Sequence, residues 1–297
     1  MISVLIPIYN QNVLELVNGV IIQFERLDVE YEIICIEDGS DSVHLIENSS
    51  LKNLKKVTYL ITEKNKGRIK SRQKLSALAK FPWLLFLDAD VKLKKEDFIQ
   101  DYLKAITTHF EVVFGGFVYY KEPPDNSHLL RWKYGRQKEE VAAFERNKRP
   151  YKIVISANYL IKKSVFENIY GKIEYTGYGY DNFFGALLKE NHIKVLHIDN
   201  EVYHLGIEES SVYLNKKEKA AEALVNLYLS GHINNHENNL LELFVSLKSK
   251  GLNKTFKMLF LNFRDGIKKN LLGRNPSIKL LQFYRIGYMC YYESLKN

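Results

Sequence analysis

Two aspartates one residue apart, Asp88 and Asp90, are the side chains in this sequence whose type and spacing best suit a bound cation. They follow the apolar run Trp83–Leu87, which predicts a buried strand, so both carboxylates are expected at the mouth of a crevice. Two close negative charges raise each other's pKa unless a cation lies between them. A divalent ion with oxygen ligands would remove that repulsion and would also bind a diphosphate. Taken alone, the pair is also compatible with an acidic turn at a strand end.

A second acidic cluster runs from Glu37 to Asp41, directly after the apolar run Glu32–Ile36. Its carboxylates could accept hydrogen bonds from a ribose or from the N–H groups of a base, and Gly39 allows the backbone to turn sharply. The same residue types are common in ordinary turns, which is the alternative interpretation.

Two arginines four residues apart, Arg68 and Arg72, share one face of a predicted helix that starts near Gly67. Guanidinium groups and helix N-termini both favour phosphate, so this helix is a candidate phosphate-binding element. A solvated basic face is the alternative interpretation of the same helix.

Each of these clusters needs a strand to position it, and unalternating apolar runs predict such strands. Strands of this kind are typical of a parallel sheet covered by helices on both faces. Polar residues follow at the carboxyl ends of the strands, where open α/β sheets bind ligands. The sequence therefore predicts an α/β fold with strands at Ser3–Ile8, Glu32–Ile36, Val57–Ile61 and Trp83–Leu87 and helices at Val13–Phe24 and Ile69–Lys80.

The second half of the chain has a less regular pattern. Glu111–Tyr120 predicts a strand bent at Gly115 and Gly116, and Lys121–Lys152 predicts a basic, loop-rich stretch longer than a structural connection needs. The remaining predictions are strands at Ile153–Ile161, Lys194–Ile198 and Val202–Leu205, helices at Ser164–Asn168 and Asp181–Glu190, and a wholly helical pattern from Glu208 onward.

The order of four motifs along the chain resembles glycosyltransferase family 2. The motifs are Ser3–Asn10, Glu37–Asp41, Asn65–Gly67 with Arg72, and Phe86–Asp90, and the resemblance extends to about Leu205. It implies the GT-A nucleotide-sugar-binding fold, a mostly parallel sheet flanked by helices, and an inverting mechanism. The implied division is a catalytic domain at residues 1–207 and a helical C-terminal extension at residues 208–297. Glu37, where the family usually has Asp, and Gln73, where it often has Asn, depart from the pattern.

The resemblance implies a role for each matching residue of the donor site. The implied places are the nucleotide pocket (Pro7, Tyr9, Asn10), the base and ribose (Glu37, Asp38), the flank of the nucleotide (Asn65, Lys66, Gly67, Arg72), and the ribose and diphosphate (Asp88, Ala89, Asp90). Within this set, Asp90 would hold a divalent metal, manganese or magnesium, against the diphosphate.

The acceptor side of the family is resembled by Ile155–Tyr159, Lys162–Phe166 and Gly177–Asp181. In the last of these, Tyr180 stands where Glu is usual, whereas Asp181 matches the Asp that serves as general base. Inversion needs a base, because the acceptor hydroxyl must lose its proton as it attacks the anomeric carbon opposite the departing diphosphate. A helix N-cap is a second role open to Asp181.

His204 follows a short strand and resembles the histidine of a galactosyltransferase-like subset of the fold, which joins the Asp-X-Asp carboxylate on the metal. The resemblance therefore implies that Asp90 and His204 share one ion, and it favours UDP-linked galactose or N-acetylgalactosamine as the donor. His197 lies within an apolar strand and is interpreted as a core residue or as a support behind the site.

The formal net charge of +8 is concentrated near the C-terminus. Between Lys248 and Arg285 there are 10 basic residues and one acid, Asp265, and the predicted helices Leu240–Lys250 and Leu252–Leu272 are amphipathic and basic. Such helices could lie on an anionic membrane near a lipid-linked acceptor, or their apolar sides could pack on the catalytic domain.

Two cysteines, Cys35 and Cys290, indicate neither a disulfide framework nor a metal-binding cysteine motif. The first residues do not resemble a signal peptide, and no apolar run approaches the roughly 20 residues that a membrane span needs. We expect a reducing, cytoplasmic location, with peripheral contact at the inner face of the membrane as a further hypothesis.

These observations predict an inverting hexosyltransferase that moves a sugar from a nucleotide-sugar, with UDP favoured, to a saccharide or lipid-linked acceptor in polysaccharide or glycoconjugate biosynthesis. A nucleotidyltransferase on a related sheet is one alternative, but Ile8–Gln11 lacks the Gly-rich loop expected there. A non-catalytic nucleic-acid-binding protein is the other alternative. Only the basic balance supports it, so we expect no nucleic-acid partner.

Overall fold

The computed structural model describes residues 1–170, 180–231 and 238–296, with the backbone alone for residues 180–182. Contacts divide these residues into two compact units. The first unit contains residues 1–118, 141–170 and 190–206, and the second contains residues 119–140, 180–189, 207–231 and 238–296. The domain boundary at residue 208 stays a prediction.

All strands described lie in the first unit. They are β1 (Ile2–Ile8), β2 (Tyr31–Asp38), β3 (Val57–Thr62), β4 (Trp83–Leu87), β5 (Val91–Leu93), β6 (Val112–Phe114), β7 (Phe117–Val118), β8 (Asn158–Lys162), β9 (Val195–His197) and β10 (Val202–His204). Seven of them form one sheet in the order β3-β2-β1-β4-β8-β6-β9, and the other three form a small sheet in the order β5-β10-β7.

Helices are found in both units. The described α-helices are α1 (Leu14–Glu25), α2 (Ser42–Glu47), α3 (Arg68–Leu78), α4 (Phe98–Ile106), α5 (Leu129–Tyr134), α6 (Ala143–Asn147), α7 (Lys163–Ile169), α8 (Tyr180–Glu190), α9 (Ser210–Leu229), α10 (Asn239–Ser249), α11 (Asn253–Leu271) and α12 (Ile278–Glu293). Of these, α5 and α8–α12 belong to the second unit.

The large sheet confirms the predicted α/β class. Strands β1, β2, β3 and β4 pair in parallel, and Val4 lies between Ile33 and Leu85 with all three side chains buried. Pro7 lacks a backbone N–H, and it lies beyond Leu5, the last residue of β1 that pairs with β4. The strand can therefore contain a proline one residue before its end without losing a hydrogen bond to β4.

The prediction of a mostly parallel sheet is confirmed, and the one strand that departs from it is β8, which is antiparallel to both β4 and β6. The strand predicted at Ile153–Ile161 is wrong in its first half, since the strand begins only at Asn158. Glu111–Tyr120 does break at its two glycines as predicted, but the break moves the chain from one sheet to the other. The large sheet is therefore mostly parallel, with β8 as its antiparallel strand.

The small sheet contains a strand that periodicity did not reveal. Strand β5 has three residues and follows Asp90 immediately, and it pairs with β10 so that Val91 lies opposite His204. Three residues are too few for an alternation pattern to distinguish strand from loop. This short ladder joins the region after Asp90 to a segment far along the chain.

The stretch Lys121–Lys152 was predicted to be loop-rich, and this is wrong. It contains α5, α6 and a π-helical turn at Gly135–Glu139. Leu130 is buried among side chains of the second unit, so tertiary packing stabilises a helix that is too short and too basic to be recognised by periodicity.

The second unit is helical from Ser210 onward, as predicted for the C-terminal region. Helices α9 and α12 run in the same direction, because three side-chain pairs join them at a constant separation along the chain. The pairs are Glu218 with Tyr284, Glu222 with Tyr288, and Asn226 with Tyr292.

The basic helix α11 buries its apolar side within the second unit. Phe260, Ile267 and Leu271 lie in the core that this unit forms around α12. Met258 and Phe263 remain 56% and 58% exposed. Within the part of the chain that the structure describes, none of the helices combines the length and hydropathy that crossing a membrane requires.

Candidate functional site

The loops that follow β1 and β2 are joined by hydrogen bonds through Asn10. The backbone N–H of Asn10 donates to the Ser40 hydroxyl at 3.0 Å, and its side-chain carbonyl accepts from the N–H of Asp41 at 2.9 Å. Asn10 has a φ of 50°, a left-handed conformation that Asn tolerates better than most residues. Tyr9 is exposed beside it and Pro7 is partly exposed, so the predicted nucleotide-pocket residues lie at an open edge of the sheet.

Glu37 is fully buried and its carboxylate already has three hydrogen-bond donors. Ser40 donates to one oxygen at 2.5 Å, and Asn48 and Tyr59 donate to the other at 2.7 and 2.9 Å. A contact between this carboxylate and a base would require breaking those bonds. The geometry therefore assigns Glu37 to holding the loop after β2 in place, and its contact with a nucleotide stays a prediction.

Asp38 joins the loop after β2 to the loop after β3. Its two oxygens accept hydrogen bonds from the backbone N–H groups of Lys66 and Gly67 at 2.8 and 2.9 Å. Gly39 makes this approach possible, because a β-carbon there would lie 2.4 Å from the backbone nitrogen of Asn65. The Asp38 carboxylate and the absence of a side chain at Gly39 thus position Asn65, Lys66 and Gly67, which were predicted to flank the nucleotide.

Asp88 is held by both arginines of α3. Arg68 donates to one carboxylate oxygen at 2.8 Å and Arg72 to the other at 2.6 Å. The same guanidinium groups reach Ser156, whose hydroxyl accepts from Arg68 and whose carbonyl accepts from Arg72. Burial alone would raise the pKa of Asp88, but the two guanidinium groups hold it below its usual range.

The side chain of Arg72 is fully buried, which bears on its predicted contact with the nucleotide. Its guanidinium is occupied by Asp88 and Ser156, so in this arrangement it positions Asp88 at the end of β4. A direct contact between Arg72 and a nucleotide stays a prediction. The partly exposed Arg68 is better placed to meet a phosphate than Arg72 is.

The carboxylate of Asp90 and the Nε2 atom of His204 lie 3.7 Å apart, with side chains 27% and 14% exposed. The β5–β10 ladder brings them together, and the N–H of Leu205 donates to the carbonyl of Asp90 at 2.8 Å. The two residues that the resemblance assigned to one metal ion are therefore neighbours in the fold.

The spacing of Asp90 and His204 suits two ligands of one ion. Ligands about 2.1 Å from a shared divalent ion lie about 3 to 4 Å from each other, depending on the angle between them. Among the described residues, no group of three or more His, Cys, Asp and Glu side chains is arranged to hold a metal. Among the described side chains, Asp90 and His204 are therefore the two candidate ligands here, and the remaining positions of an ion would be open to phosphate oxygens and water.

A cavity of about 380 Å³ borders Asp90 on the side of α1. Its lining residues include Gln11, Asn12 and Leu205. Its volume is within the range of small-molecule sites. Lys92 on its wall is paired with Glu15 at 2.5 Å, and the other lining cations also form ion pairs, so the cavity offers an anion little unpaired positive charge.

Two predictions on the acceptor side reach the limit of the described residues. The segment Gly177–Gly179 lies outside them, and so do the side chains of Tyr180 and Asp181. The backbone of Asp181 lies in the first turn of α8. The role of Asp181 as a general base stays a prediction, as does its role as an N-cap.

His197 confirms its interpretation as a core residue. Arg146, which can only donate, lies 3.1 Å from Nδ1, so the ring proton is on Nε2, which donates to the carbonyl of Pro150 at 2.8 Å. Burial lowers the pKa of His197 to about 4, and the charge of Arg146 acts in the same direction. The neutral ring is thus part of the support for β9.

Two residues of the site were missed by sequence reasoning. Ser156 accepts hydrogen bonds from both arginines of α3. The sequence included Ser156 in the Ile155–Tyr159 motif but did not predict this role. Gly206 lies against the carboxylate of Asp90, where a β-carbon would collide with Oδ2. A glycine two residues after a candidate metal ligand was the available signal, because glycine permits close approach.

Solved structures with the same fold are glycosyltransferases. A mannosyltransferase from Pyrobaculum calidifontis in complex with GDP-Man and Mn²⁺ has a TM-score of 0.56 at 11% identity, and the match covers 100% of this chain and 86% of that one. A glucosyl-3-phosphoglycerate synthase from Mycobacterium tuberculosis in complex with Mg²⁺ and UDP has a TM-score of 0.52 at 16% identity, covering 75% of this chain and 78% of that one. Identities this low show the GT-A fold alone.

TarS from S. aureus is a further similar structure, with a TM-score of 0.51 at 17% identity over 76% of this chain. This chain spans 40% of that TarS chain and 65% of a TarS fragment comprising its residues 1–349. TarS therefore contains a large part with no counterpart here.

None of the curated proteins compared with this chain matches it. Residues 3–170, more than half of the chain, match the family described as glycosyl transferase family 2. The match spans the strand-end loops of β1, β2, β3 and β4, which is where the acidic and basic clusters meet. The galactosyltransferase-like assignment of His204 lies beyond the matched residues and stays a prediction. The chain belongs to glycosyltransferase family 2.

Proposed function

We propose that this protein transfers a sugar from a nucleoside-diphosphate sugar, with a UDP-sugar as the first candidate, to an acceptor hydroxyl with inversion at the anomeric carbon. The observation that carries this proposal is the 3.7 Å approach of Asp90 and His204 beside the joined strand-end loops. Asp90 follows β4, and the loops after β1, β2 and β3, which the resemblance assigns to the nucleotide, follow strands that run parallel to β4 and end at the same edge of the sheet.

Asp90 and His204 would hold manganese or magnesium in this mechanism. When bound, the ion supplies positive charge that stabilises the leaving diphosphate. Arg68 and Arg72 hold Asp88 at the end of β4, and this restrains the backbone conformation of Asp90 two residues later. The loops tied by Asn10 and Asp38 would receive the base and ribose with little rearrangement, which lowers the entropic cost of binding.

Asp181 would act as the base that removes the proton of the acceptor hydroxyl. Its backbone lies in the first turn of α8, and the helix gives the residue a defined backbone conformation. A positioned carboxylate base typically contributes about 10²–10⁴-fold to the rate. We infer that the acceptor is a saccharide or a lipid-linked acceptor in polysaccharide or glycoconjugate biosynthesis.

The similar structures support the choice of donor and cofactor. One was solved with GDP-Man and Mn²⁺, and another with Mg²⁺ and UDP. A nucleoside diphosphate with a divalent metal is thus a ligand pair that this fold accommodates, and Asp90 with His204 gives this chain two side chains able to hold the metal.

A binding screen tests the proposal directly. Purified protein would be heated with UDP, GDP and several UDP- and GDP-sugars, each with and without Mn²⁺, and the unfolding midpoint would be recorded. A nucleotide that binds the folded state raises the midpoint. We expect the unfolding midpoint to rise only when a nucleoside diphosphate, free or as its sugar, and Mn²⁺ are both present. In a separate assay, adding an acceptor to the protein with its nucleotide-sugar should release the nucleoside diphosphate.

Adding nucleoside triphosphates and duplex DNA to the screen, with an assay for pyrophosphate, separates the alternatives. A nucleotidyltransferase would release pyrophosphate from a nucleoside triphosphate, and a nucleic-acid-binding protein would be stabilised by duplex DNA without Mn²⁺. Either result, without a response to any nucleotide-sugar, would overturn the proposed function. Including UDP-galactose and UDP-N-acetylgalactosamine also tests the donor favoured by the resemblance of His204.

We also propose peripheral contact between α11 and an anionic membrane. Met258, Leu261 and Phe263 are exposed on this helix although they are apolar, and Lys254 and Lys269 are exposed among them. Apolar and basic side chains on one exposed helix are typical of interfacial binding, where apolar burial and attraction to anionic lipid add.

Co-sedimentation at low salt tests this contact, with phosphatidylcholine vesicles made with or without phosphatidylglycerol. We expect binding to the anionic vesicles that is weakened by replacing Met258 and Phe263 with serine. Ile46→Ser, at an exposed apolar position on α2 in the first unit, is the matched control and should not change binding. Absence of sedimentation with anionic vesicles would remove the membrane proposal and leave the transferase proposal intact.

A further inference from the structure

The second unit contains a cluster of charged and aromatic side chains that are not among the residues proposed for the donor, the metal or the general base. The cluster is contributed by α5, α9, α12, the π-helical turn and the segment before α5. It is called the Tyr134 cluster below, and its members are Tyr119, Arg131, Tyr134, Glu139, Tyr213, Lys217 and Arg285.

The carboxylate of the Tyr134 cluster is already neutralised. Glu139 accepts a hydrogen bond from Arg131 at 2.7 Å and another from the Tyr119 hydroxyl at 2.5 Å. Arg131 also lies over the rings of Tyr119 and Tyr213, 5.1 Å from each centroid. Burial would raise the pKa of Glu139, but Arg131 foremost, with Lys217, holds it at about 2. Glu139 and Arg131 therefore form a closed ion pair.

Lys217 has no such partner. Its ammonium lies 4.6 Å from the ring centroid of Tyr134 and 4.8 Å from that of Tyr213. Among the described residues it makes these cation–π contacts and neither a hydrogen bond nor an ion pair. The two rings fix the position of the half-buried ammonium and leave its N–H donors available.

Arg285 contributes a second cation without a carboxylate partner in the described part of the chain. One terminal nitrogen lies 3.5 Å from the Tyr134 hydroxyl and 3.2 Å from the side-chain oxygen of Gln282. Its Nε is buried and makes no hydrogen bond. Lys217 and Arg285 therefore both contact Tyr134, one at the ring and the other at the hydroxyl.

Two positive charges beside one tyrosine are costly to bury, because neither forms an ion pair with a described residue and Glu139, the carboxylate whose charge acts on Lys217, is already bonded to Arg131. Burial would raise the pKa of Tyr134, but the charges of Lys217 and Arg285, with a smaller contribution from Arg131, lower it. A bound anion would remove this repulsion and would also meet the donors that the protein leaves unused.

We propose that Lys217, Arg285 and the Tyr134 hydroxyl form a binding site for a phosphate group, as a phosphate ester or the free ion. A phosphate group carries a charge of about −1.5 to −2 and three strong acceptor oxygens, which match two cations and a hydroxyl donor. A guanidinium presents a planar fork of donors that suits phosphate, and charge-assisted bonds of this kind are stronger than neutral ones. This proposal does not rest on sugar transfer.

Calorimetric titration of the full chain with inorganic phosphate and with glycerol phosphate tests the site. The titrations are done at constant ionic strength, without metal or nucleotide, and in the Asp90→Ala background so that the proposed metal site does not contribute. We expect saturable binding that Lys217→Gln and Arg285→Gln each weaken about tenfold or more, as loss of a hydrogen bond to a charged group predicts. Lys217→Arg, which keeps the charge, should retain most of the affinity.

Lys219→Gln is the matched control, because Lys219 is an exposed lysine on the same helix. It should bind phosphate as the unmodified chain does. Unfolding midpoints of all variants show whether a loss of binding reflects a loss of fold, and Lys217→Arg and Tyr134→Phe provide milder changes if Lys217→Gln unfolds.

The source of the phosphate is decided by a second arm with phosphatidic acid vesicles. Binding of glycerol phosphate indicates a soluble phosphate ester, and binding to the vesicles alone indicates a lipid headgroup. Either result supports the site only if Lys217→Gln reduces it. The proposal is overturned if phosphate does not bind, if the Gln variants bind it normally, or if acetate competes equally well.

Discussion

Gly206 lies so close to the carboxylate of Asp90 that a β-carbon at position 206 would come within 1.9 Å of Oδ2. The contact follows from the β5–β10 ladder, which ends at His204 and carries the next residues past Asp90. The orientation of a candidate metal ligand thus depends on the absence of a side chain two residues after the other candidate ligand.

Gly206→Ala should therefore disturb metal binding more than folding. The added methyl group forces the Asp90 side chain to rotate, and an ion that needs both Asp90 and His204 then loses one ligand. We expect Mn²⁺-dependent binding of UDP to weaken at least about tenfold, by analogy with the cost of disturbing groups that orient metal ligands, while the unfolding midpoint changes little. Gly266→Ala, where a β-carbon meets open space on a helix, is the control and should preserve nucleotide binding.

Asp90 and His204 should behave as a coupled pair if they share one ion. Asp90→Ala and His204→Ala should each remove most of the Mn²⁺-dependent stabilisation by UDP, and the double variant should lose little more. Independent sites would instead give additive losses, and a double-mutant cycle measures the difference. Asp28→Ala, at an exposed acid on the same unit, controls for loss of negative charge. Additive losses would contradict a shared ion.

Arg72→Met should destabilise the fold, because it leaves the carboxylate of Asp88 with only the partly exposed Arg68. Removing one partner of a buried ion pair typically costs about 3–5 kcal/mol, and the remaining guanidinium places this case at the lower end. Urea unfolding measures the change. Lys74→Met removes an exposed charge from the same helix and should leave the free energy of unfolding nearly unchanged. Equal effects of the two substitutions would show that Arg72 does not hold Asp88.

His197 should make the free energy of unfolding depend on pH. Its pKa is about 4 in the folded protein and 6.5 when unperturbed, so the unfolded chain takes up the proton first as the pH falls. The stabilisation is present above pH 6.5 and is lost as the pH falls to about 4. The free energy of unfolding therefore falls by up to about 3 kcal/mol over this pH range because of His197.

Urea unfolding at several pH values, for the unmodified chain and for His197→Asn, isolates this contribution. The variant should be less stable at neutral pH but should show a smaller decrease between pH 6.5 and 4. His109→Gln replaces an exposed histidine of the same unit and should retain the full decrease. Identical pH profiles for the unmodified chain and His197→Asn would contradict a buried neutral ring.

Asp181→Asn should separate binding from catalysis. The amide cannot accept the acceptor proton, so turnover should fall by about 10²–10⁴-fold, while Mn²⁺-dependent binding of the donor is retained. Initial rates of diphosphate release with acceptor, together with donor affinity, measure the two effects. Glu190→Gln, at the opposite end of the same helix, should leave both unchanged. Normal turnover of Asp181→Asn would remove the residue as the base.

The sequence alone determined the parts of this protein that depend on local pattern. Unalternating apolar runs identified β1, β2, β3 and β4 within one or two residues at each end. β1, β2 and β4 form such runs because both of their faces are buried, whereas β3 lies at the edge of the sheet and is partly exposed. The order of the strand-end motifs was sufficient to indicate the family that residues 3–170 match. The helical character from Ser210 onward was likewise evident, since long periodic segments are the easiest to identify.

Tertiary structure decided which of the candidate residues are partners. Glu37 and Arg72 carry suitable groups for a ligand, but only the fold shows that Asn48, Tyr59 and Asp88 already occupy them. Likewise, no local pattern distinguishes a basic helix with paired charges from one like α9, where Lys217 forms no ion pair with a described residue.

The approach of Asp90 to His204 is the clearest case of a feature that only tertiary structure determines. It depends on two three-residue strands that pair across a long separation in the chain, and strands this short have no periodicity of their own. Their pairing is stable because the surrounding sheet and helices hold both segments in place. Local sequence therefore specified the chemistry of each residue, and the packing of the whole unit specified the distance between them.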